Sequence, residues 1–352
     1  MSRIELIRPK LGNLDALLLT DPISVRYACG FAFTDGAVVI GHEHAFLITD
    51  SRYVEAAQQA VTDMQVLCTG PNRGLYALIA ECIAQCGTAI GAEQTRTDHA
   101  QWQSLERLLN CKLRPASQIL ASLRASKDDD ELQSMITAQR IAEKALYEVL
   151  ELIRPGLTEK QVAAELVYRM YKYGGEANSF DPIVITGSKT SMPHGVPGDV
   201  VIQAGDFVTM DFGTMYNGYC SDMTRTVAVG HATQEMKDVY NIVLQAQLAG
   251  IAAAKAGVTG AAIDEAARTV IREAGFGQYF GHSFGHSLGL EIHEAPNAAP
   301  SNNAPMPAGA VCSAEPGIYI PGRFGVRIED VMQLRENGSY VITEAPKELL
   351  IL

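Results

Sequence analysis

The chain has 352 residues and carries 28 Lys and Arg against 40 Asp and Glu, a formal net charge of −12; its pI is near 5.2 and its mean hydropathy is +0.04. An acidic chain without a Lys/Arg cluster is a poor match for a phosphate backbone, so nucleic acid is not an expected partner. No run of 18 apolar residues is present, so no membrane span is expected, and the start Met1-Ser-Arg-Ile-Glu-Leu-Ile-Arg8 lacks the apolar stretch of a secretory signal, which makes the cytoplasm the expected location.

Residues 1 to about 125 alternate short strand-like and helical runs. Segment 14–20 reads as a buried strand, and 37–40 with 45–49 flank the polar turn 41–44, a hairpin signal. Residues 51–61 and 76–86 read as helices, with 88–90 as a further strand, so this part is expected to be a compact α/β unit. His42 and His44 lie in the turn and read as solvated. The seven cysteines (29, 68, 82, 86, 111, 220 and 312) are odd in number and scattered, which points to thiols rather than a disulfide framework. Cys82 and Cys86 are four apart, but no neighbouring Cys/His pair completes a zinc site.

The charge cluster from Ala125 to Glu131 opens a long amphipathic helix reaching Leu152, whose acidic first turn complements the helix dipole. We place the domain boundary there, giving domains 1–125 and 126–352. Beyond it, Gly156-Leu-Thr158 recurs 101 residues later as Gly257-Val-Thr259, and Gly174 recurs as Gly275. Each copy reads as helix, Gly-x-Thr turn, then a second helix; Thr158 with Gln161 forms a capping box. The expectation is a pseudo-twofold α+β domain with helices on one face of an antiparallel sheet, chance similarity between alanine-rich helices being the competing reading.

Segments 207–216 and 219–227 flank Asn217-Gly218, the pair favoured in a two-residue type I′ hairpin turn. That register sets Asp211 opposite Thr224, with Asp222 diagonal to Asp211 on one face. Two close carboxylates repel unless a divalent cation lies between them, or unless the hairpin face is simply solvated.

Three of the eight histidines fall in Gly281-His-Ser-Phe-Gly-His-Ser-Leu-Gly-Leu-Glu-Ile-His293. The glycines disfavour a helix, and a loop leading into a strand at 290–293 is the expectation. The same stretch matches Gly-x-Ser-x-Gly at Ser283 and at Ser287, a serine hydrolase signal. After Ser287 the only histidine is His293, and Glu291 alone lies between them, too close in sequence for the pair to converge on the nucleophile, and that reading fails. Further on, Glu315 precedes a proline and so has extended backbone, while 326–331 alternates and puts Arg327 and Glu329 on one face. Four carboxylates and a histidine suit Mn²⁺, Co²⁺ or Zn²⁺.

These residues resemble the pita-bread metallopeptidases: Xaa-Pro dipeptidases, aminopeptidases P and methionine aminopeptidases. The first ~125 residues are similar to a creatinase-type N-terminal domain, through Asp21-Pro-Ile-Ser-Val-Arg-Tyr27 and Thr49-Asp-Ser-Arg-Tyr53, and the rest to the pita-bread catalytic domain. The resemblance implies two divalent metal ions, manganese first with cobalt or zinc as alternatives, held by Asp211, Asp222, His286, Glu315 and Glu329. It implies Glu315 as proton shuttle, His194 (in Met192-Pro-His-Gly195) and His293 as donors to the developing oxyanion, and His282 in the proline-side pocket or packing beside it. It also implies Arg327 as support for the site. Ser313-Ala314 before Glu315 departs from the commoner Thr-Val without touching a ligand. The activity implied is removal of the residue before proline from short peptides or dipeptides by a homodimer. The alternatives are a non-catalytic scaffold or an aminopeptidase with other specificity.

Overall fold

In the computed structural model, which describes residues 2–352, the chain divides between Arg124 and Ala125 into two compact units. The first is built on a mixed six-stranded sheet in the order Gln65–Cys68, Ala45–Thr49, Ala37–Gly41, Ala16–Leu19, Ile90–Ala92, Arg114–Pro115. The three strands Ala16–Leu19, Ala37–Gly41 and Ala45–Thr49 are buried along their whole length, which is why they read as continuous apolar runs. Of the expected boundaries that move, two do so for a plain local reason. The helix expected from residue 51 is Val54–Ala60, because the Asp50 carboxylate accepts the Arg52 amide (2.8 Å) and holds 50–53 in a turn. The strand expected at 88–90 is Ile90–Ala92, because Asp15 accepts both the Thr88 and Ala89 amides at 2.8 Å and ties them into the preceding loop.

The second unit contains two helix pairs, Asp129–Leu150 with Glu159–Lys172 and Gln234–Ala253 with Gly260–Glu273. Asp128 and Glu131 form a capping box on the first helix, and Thr158 with Gln161 forms the expected one on the second. Thr259 caps the equivalent helix of the other pair. Thr158 bridges to Val201 and Thr259 to Pro305, so the two copies share a connection as well as a helix order. Every strand ladder in this unit is antiparallel.

A three-stranded sheet in the order Met223–Ala228, Phe207–Phe212, Ile183–Thr186 belongs with the first helix pair. A five-stranded sheet in the order Glu294–Ala298, Gly285–Ser287, Val311–Ala314, Asp330–Arg335, Gly338–Val341 belongs with the second. Asn217 (φ 50°) and Gly218 (φ 79°) form the hairpin turn, and Asp211 pairs with Thr224 as the register requires.

Two expectations in this unit are corrected. Residues 290–293 are not a strand: Gly289 donates to the Glu291 carbonyl (2.9 Å) and Glu291 to the Glu294 carboxylate (3.1 Å). These bonds close a loop, and the strand begins at Glu294. Segment 326–331 is not one strand either. Phe324–Arg327 pairs with Gly317–Ile320, whereas Asp330–Arg335 joins the five-stranded sheet, so the chain changes partners at residues 328 and 329.

Candidate metal site

The three-stranded and the five-stranded sheets of the second unit both contribute to one acidic cluster. Asp211 lies on Phe207–Phe212, and Asp222 immediately precedes Met223–Ala228. His286 is the middle residue of Gly285–Ser287, Glu315 follows Val311–Ala314, and Glu329 occupies the change of sheet. Asp222 and Glu329 are almost fully buried, at 3% and 1% exposure. A side chain at Gly285 would overlap the Ser313 carbonyl, so the strand carrying His286 can approach the strand leading to Glu315 only with glycine there.

The polar atoms of the cluster lie close together. His286 Nε2 lies 3.5 Å from Asp222 Oδ2 and 3.3 Å from Glu315 Oε1. One donor atom each from Asp222, His286 and Glu329 fall within 4.8 Å of one another. Asp211 joins through Arg327, whose Nη2 donates to Asp211 Oδ2 at 2.6 Å. The buried atoms Asp211 Oδ1 and Glu329 Oε1 have no hydrogen-bond partner, an expensive arrangement for carboxylates unless something else satisfies them.

The electrostatics point the same way. Burial, then repulsion from Glu329, Asp211 and Glu315, raises the Asp222 carboxyl well above its ordinary range. Burial, then repulsion from Glu315 and Asp211, does the same to Glu329. Burial also raises Glu315 and lowers His286, keeping that imidazole neutral. His286 Nδ1 faces the Ser287 carbonyl at 3.3 Å and so carries the proton, which leaves the Nε2 lone pair facing carboxylate oxygens. A lone pair directed at carboxylates, beside two unsatisfied carboxylate oxygens, is the donor arrangement of a divalent cation site.

Two residues that sequence reasoning did not assign to the site are built into it. The Thr224 hydroxyl donates to Glu329 Oε2 (2.6 Å) and accepts from Arg327 Nε (3.0 Å). The Tyr319 hydroxyl accepts from Arg327 Nη1 (3.0 Å) and lies 2.9 Å from His282 Nε2. Since His282 Nδ1 faces the Ser283 carbonyl (2.9 Å), Nε2 is the acceptor and Tyr319 the donor. The Ser313 departure is corrected as well: its hydroxyl accepts the His286 amide and donates to Glu315 Oε1, both at 3.0 Å, so it touches two members of the cluster.

The remaining candidate residues are placed unevenly. The His293 ring lies edge-on to His286, with centroids 4.4 Å apart. His194 is exposed and outside the carboxylate cluster; with His282, Pro193, Tyr279, Tyr319 and Pro321 it lines an adjoining cavity of about 440 Å³. Ser287, the decoy nucleophile, is fully buried and donates to the Pro296 carbonyl.

Comparison with known proteins now decides the family. Residues 133–336 match metallopeptidase family M24, and residues 3–126 match the creatinase/prolidase N-terminal domain. The chain belongs to metallopeptidase family M24. It is 40% identical to an uncharacterized peptidase of Bacillus subtilis (strain 168), over 99% of this chain and 100% of that protein. It is 34% identical to an Xaa-Pro dipeptidase of Pyrococcus furiosus, over 96% of each. Among solved structures, an Xaa-Pro dipeptidase from Bacillus anthracis superimposes with a TM-score of 0.95 at 41% identity, covering 99% of both chains. An X-Pro aminopeptidase from Thermotoga maritima gives 0.93 at 36%, covering 98% of this chain and 99% of that one. Membership of this metallopeptidase family agrees with the donor chemistry of the cluster and with the two-unit architecture.

Proposed function

We propose that this M24 enzyme is an exopeptidase that removes the residue preceding proline from dipeptides or short peptides, with two divalent metal ions held by Asp211, Asp222, His286, Glu315 and Glu329. The observation that carries the reading is the meeting of His286 Nε2 with Asp222 and Glu315, beside the unsatisfied oxygens of Asp211 and Glu329. The Xaa-Pro preference is supported by the names of the relatives that the chain matches over nearly its whole length. Manganese is the proposed native metal, since four carboxylates and one imidazole form a predominantly hard oxygen set.

Divalent ions in such a site supply Lewis acidity and activation of water near neutral pH. Within the chain, Glu315 takes the proton from the attacking water and passes it to the leaving nitrogen of proline, which must depart as a neutral amine. Burial raises the Glu315 carboxyl, which suits a group that both accepts and returns a proton. His194 and His293 donate to the oxygen of the scissile carbonyl as charge develops on it. His282, held neutral by burial and fixed through Tyr319 and Arg327, lines the proline side of the cavity. Arg327 fixes Asp211 and, through Thr224, Glu329.

A homodimer and a cytoplasmic location complete the proposal, the first resting on the family likeness. Among the described residues no helix is long and apolar enough to cross a membrane. The test is release of the first residue from Ala-Pro, Met-Pro, Ala-Pro-Ala and Ala-Ala by chelated protein, before and after adding Mn²⁺, Co²⁺ or Zn²⁺. Metal-restored cleavage confined to the proline peptides supports the reading, and the ratio of dipeptide to tripeptide turnover separates dipeptidase from aminopeptidase. Equal cleavage of Ala-Ala, or none with any metal, rejects it.

A further inference from the structure

His194 is proposed above to touch the substrate, yet among the described residues no hydrogen bond reaches its imidazole, so its place is set by the backbone that carries it. That backbone runs from the strand Ile183–Thr186 through the short turn Gly187–Ser191 to residue 198. On its inner side it leans on the strand of Arg327: Gly325 donates to Thr190 Oγ1 (2.8 Å) and Arg327 Nη1 to the Pro193 carbonyl (3.3 Å). On its outer side, beside Asp206, whose Oδ2 accepts the Thr186 hydroxyl at 3.1 Å, a buried carboxylate holds it at both ends.

That carboxylate is Glu159, the first residue of Glu159–Lys172 and fully buried at 0% exposure. Its Oε1 accepts the Thr186 amide at 2.9 Å, at the start of the loop. Its Oε2 accepts the Gly198 amide at 2.7 Å, at the end of the loop, and Lys189 Nζ at 2.5 Å from within it. Lys189 Nζ also donates to the Val196 carbonyl (2.6 Å), two residues past His194. Both oxygens are therefore used, and every bond goes to the segment bearing His194. A buried charge with such partners is costly to disturb, because each lost bond leaves a desolvated polar group behind.

The other repeat uses the same device. Asp264, buried on Gly260–Glu273, accepts the Phe284 amide at 2.8 Å and pairs with Arg268. Arg268 in turn donates to the carbonyls of Phe280 (3.1 Å) and His282 (2.8 Å). In each half, a buried carboxylate on the second helix anchors a loop with a cavity-lining histidine. The two differ in one respect: Phe284 is two residues from His286, so the Asp264 anchor reaches a proposed metal ligand, whereas Glu159 bonds to none.

We propose that Glu159, with Lys189, is a positioning residue that sets His194 against the substrate while leaving the metal ligands untouched. Only the assignment of His194 to the substrate rests on the exopeptidase reading; the anchoring of the loop does not.

The experiment uses the full-length metal-loaded protein with Glu159→Gln, His194→Ala and the double variant, and reads four quantities. Amide exchange in residues 187–198 should become about tenfold faster or more in Glu159→Gln, while exchange around Asp211 and His286 stays as in wild type. Metal affinity should stay within about threefold. Turnover of Ala-Pro should fall about tenfold, and the double variant should be no slower than His194→Ala alone, because the two substitutions remove one contribution. Losses that multiply, exchange that does not change, or metal binding that collapses would each overturn the proposal. If Glu159→Gln does not fold, Lys189→Met on the partly exposed loop replaces it, with the same non-additivity expected at about threefold loss. Wild-type protein inactive on every proline peptide would defeat the exopeptidase reading, and the exchange measurement would still decide the anchoring.

Discussion

The two units bury charge in opposite ways. Among the described residues of the first, Glu93 and Arg124 are the buried charged side chains, and its sheet is an apolar sandwich of Ala16, Leu18, Val39, Phe46 and Ile48 with the helix Leu75–Ala84. The second buries Lys127, Glu131, Glu143, Glu159, Asp222, Arg225, Asp264, Arg327, Glu329 and Asp330. Most of these are paired: Arg225 with Asp330 at 2.8 Å, Lys127 with Glu294 at 3.2 Å, Arg327 with Asp211 at 2.6 Å. Asp222, Glu315 and Glu329 instead face one another, and their mutual repulsion is what a divalent ion would relieve. The first unit is held by burial of apolar surface, and the second also carries an acidic centre of mutually repelling carboxylates.

The contrast between the two units is greatest at Glu329. Glu329→Gln should lower peptide turnover by about 10³-fold or more, since it removes a proposed ligand from a site whose members act together. It should also leave the melting temperature of metal-free protein at or above that of wild type, because one repelling charge is gone. Calorimetry with and without chelator reads both halves of that statement, and a metal-free variant melting well below wild type would contradict it.

Leu18→Ala is the matched change in the first unit. It should destabilise that unit by about 2–5 kcal/mol through a cavity in a fully buried sheet, with metal content unchanged by elemental analysis.

Thr224→Val keeps the shape of the strand and removes the hydroxyl between Arg327 and Glu329. An outer partner of this kind should be worth about 10- to 100-fold in metal affinity, read by titration of chelated protein.

The smallest expected effect is on pH dependence. With carboxyls raised in the folded state, metal-free protein binds more protons folded than unfolded, so this cluster makes stability fall as pH rises above about 4. Metal displaces those protons. The rise in melting temperature on adding Mn²⁺ should therefore be larger at pH 7.5 than at pH 5, and an equal rise at both would count against the cluster as drawn.

What could be seen in the sequence follows from how local each signal is. The Asn217-Gly218 turn determines the pairing of Asp211 with Thr224, because a two-residue hairpin leaves no choice of register. Thr224 itself was visible only as the residue facing Asp211. Its role depends on Glu329, more than a hundred residues away, and no local pattern carries that. Tyr319 reads as an ordinary strand residue until Arg327 and His282 are seen around it. The loop at 290–293 looks like a strand by composition, and is closed by the Glu294 carboxylate and the buried Lys127 that holds it. The Ser313 hydroxyl bonds two residues before it could be suspected of any role, because the strand carrying His286 lies alongside.

The proposed activity depends on five side chains holding metal. Titration of Mn²⁺ into chelated wild-type protein, followed by calorimetry and in parallel by release of alanine from Ala-Pro, tests this most directly. Binding of two ions per chain, with activity appearing as the sites fill, is the predicted result. Absence of Mn²⁺ binding, or full activity in the chelated protein, would contradict it.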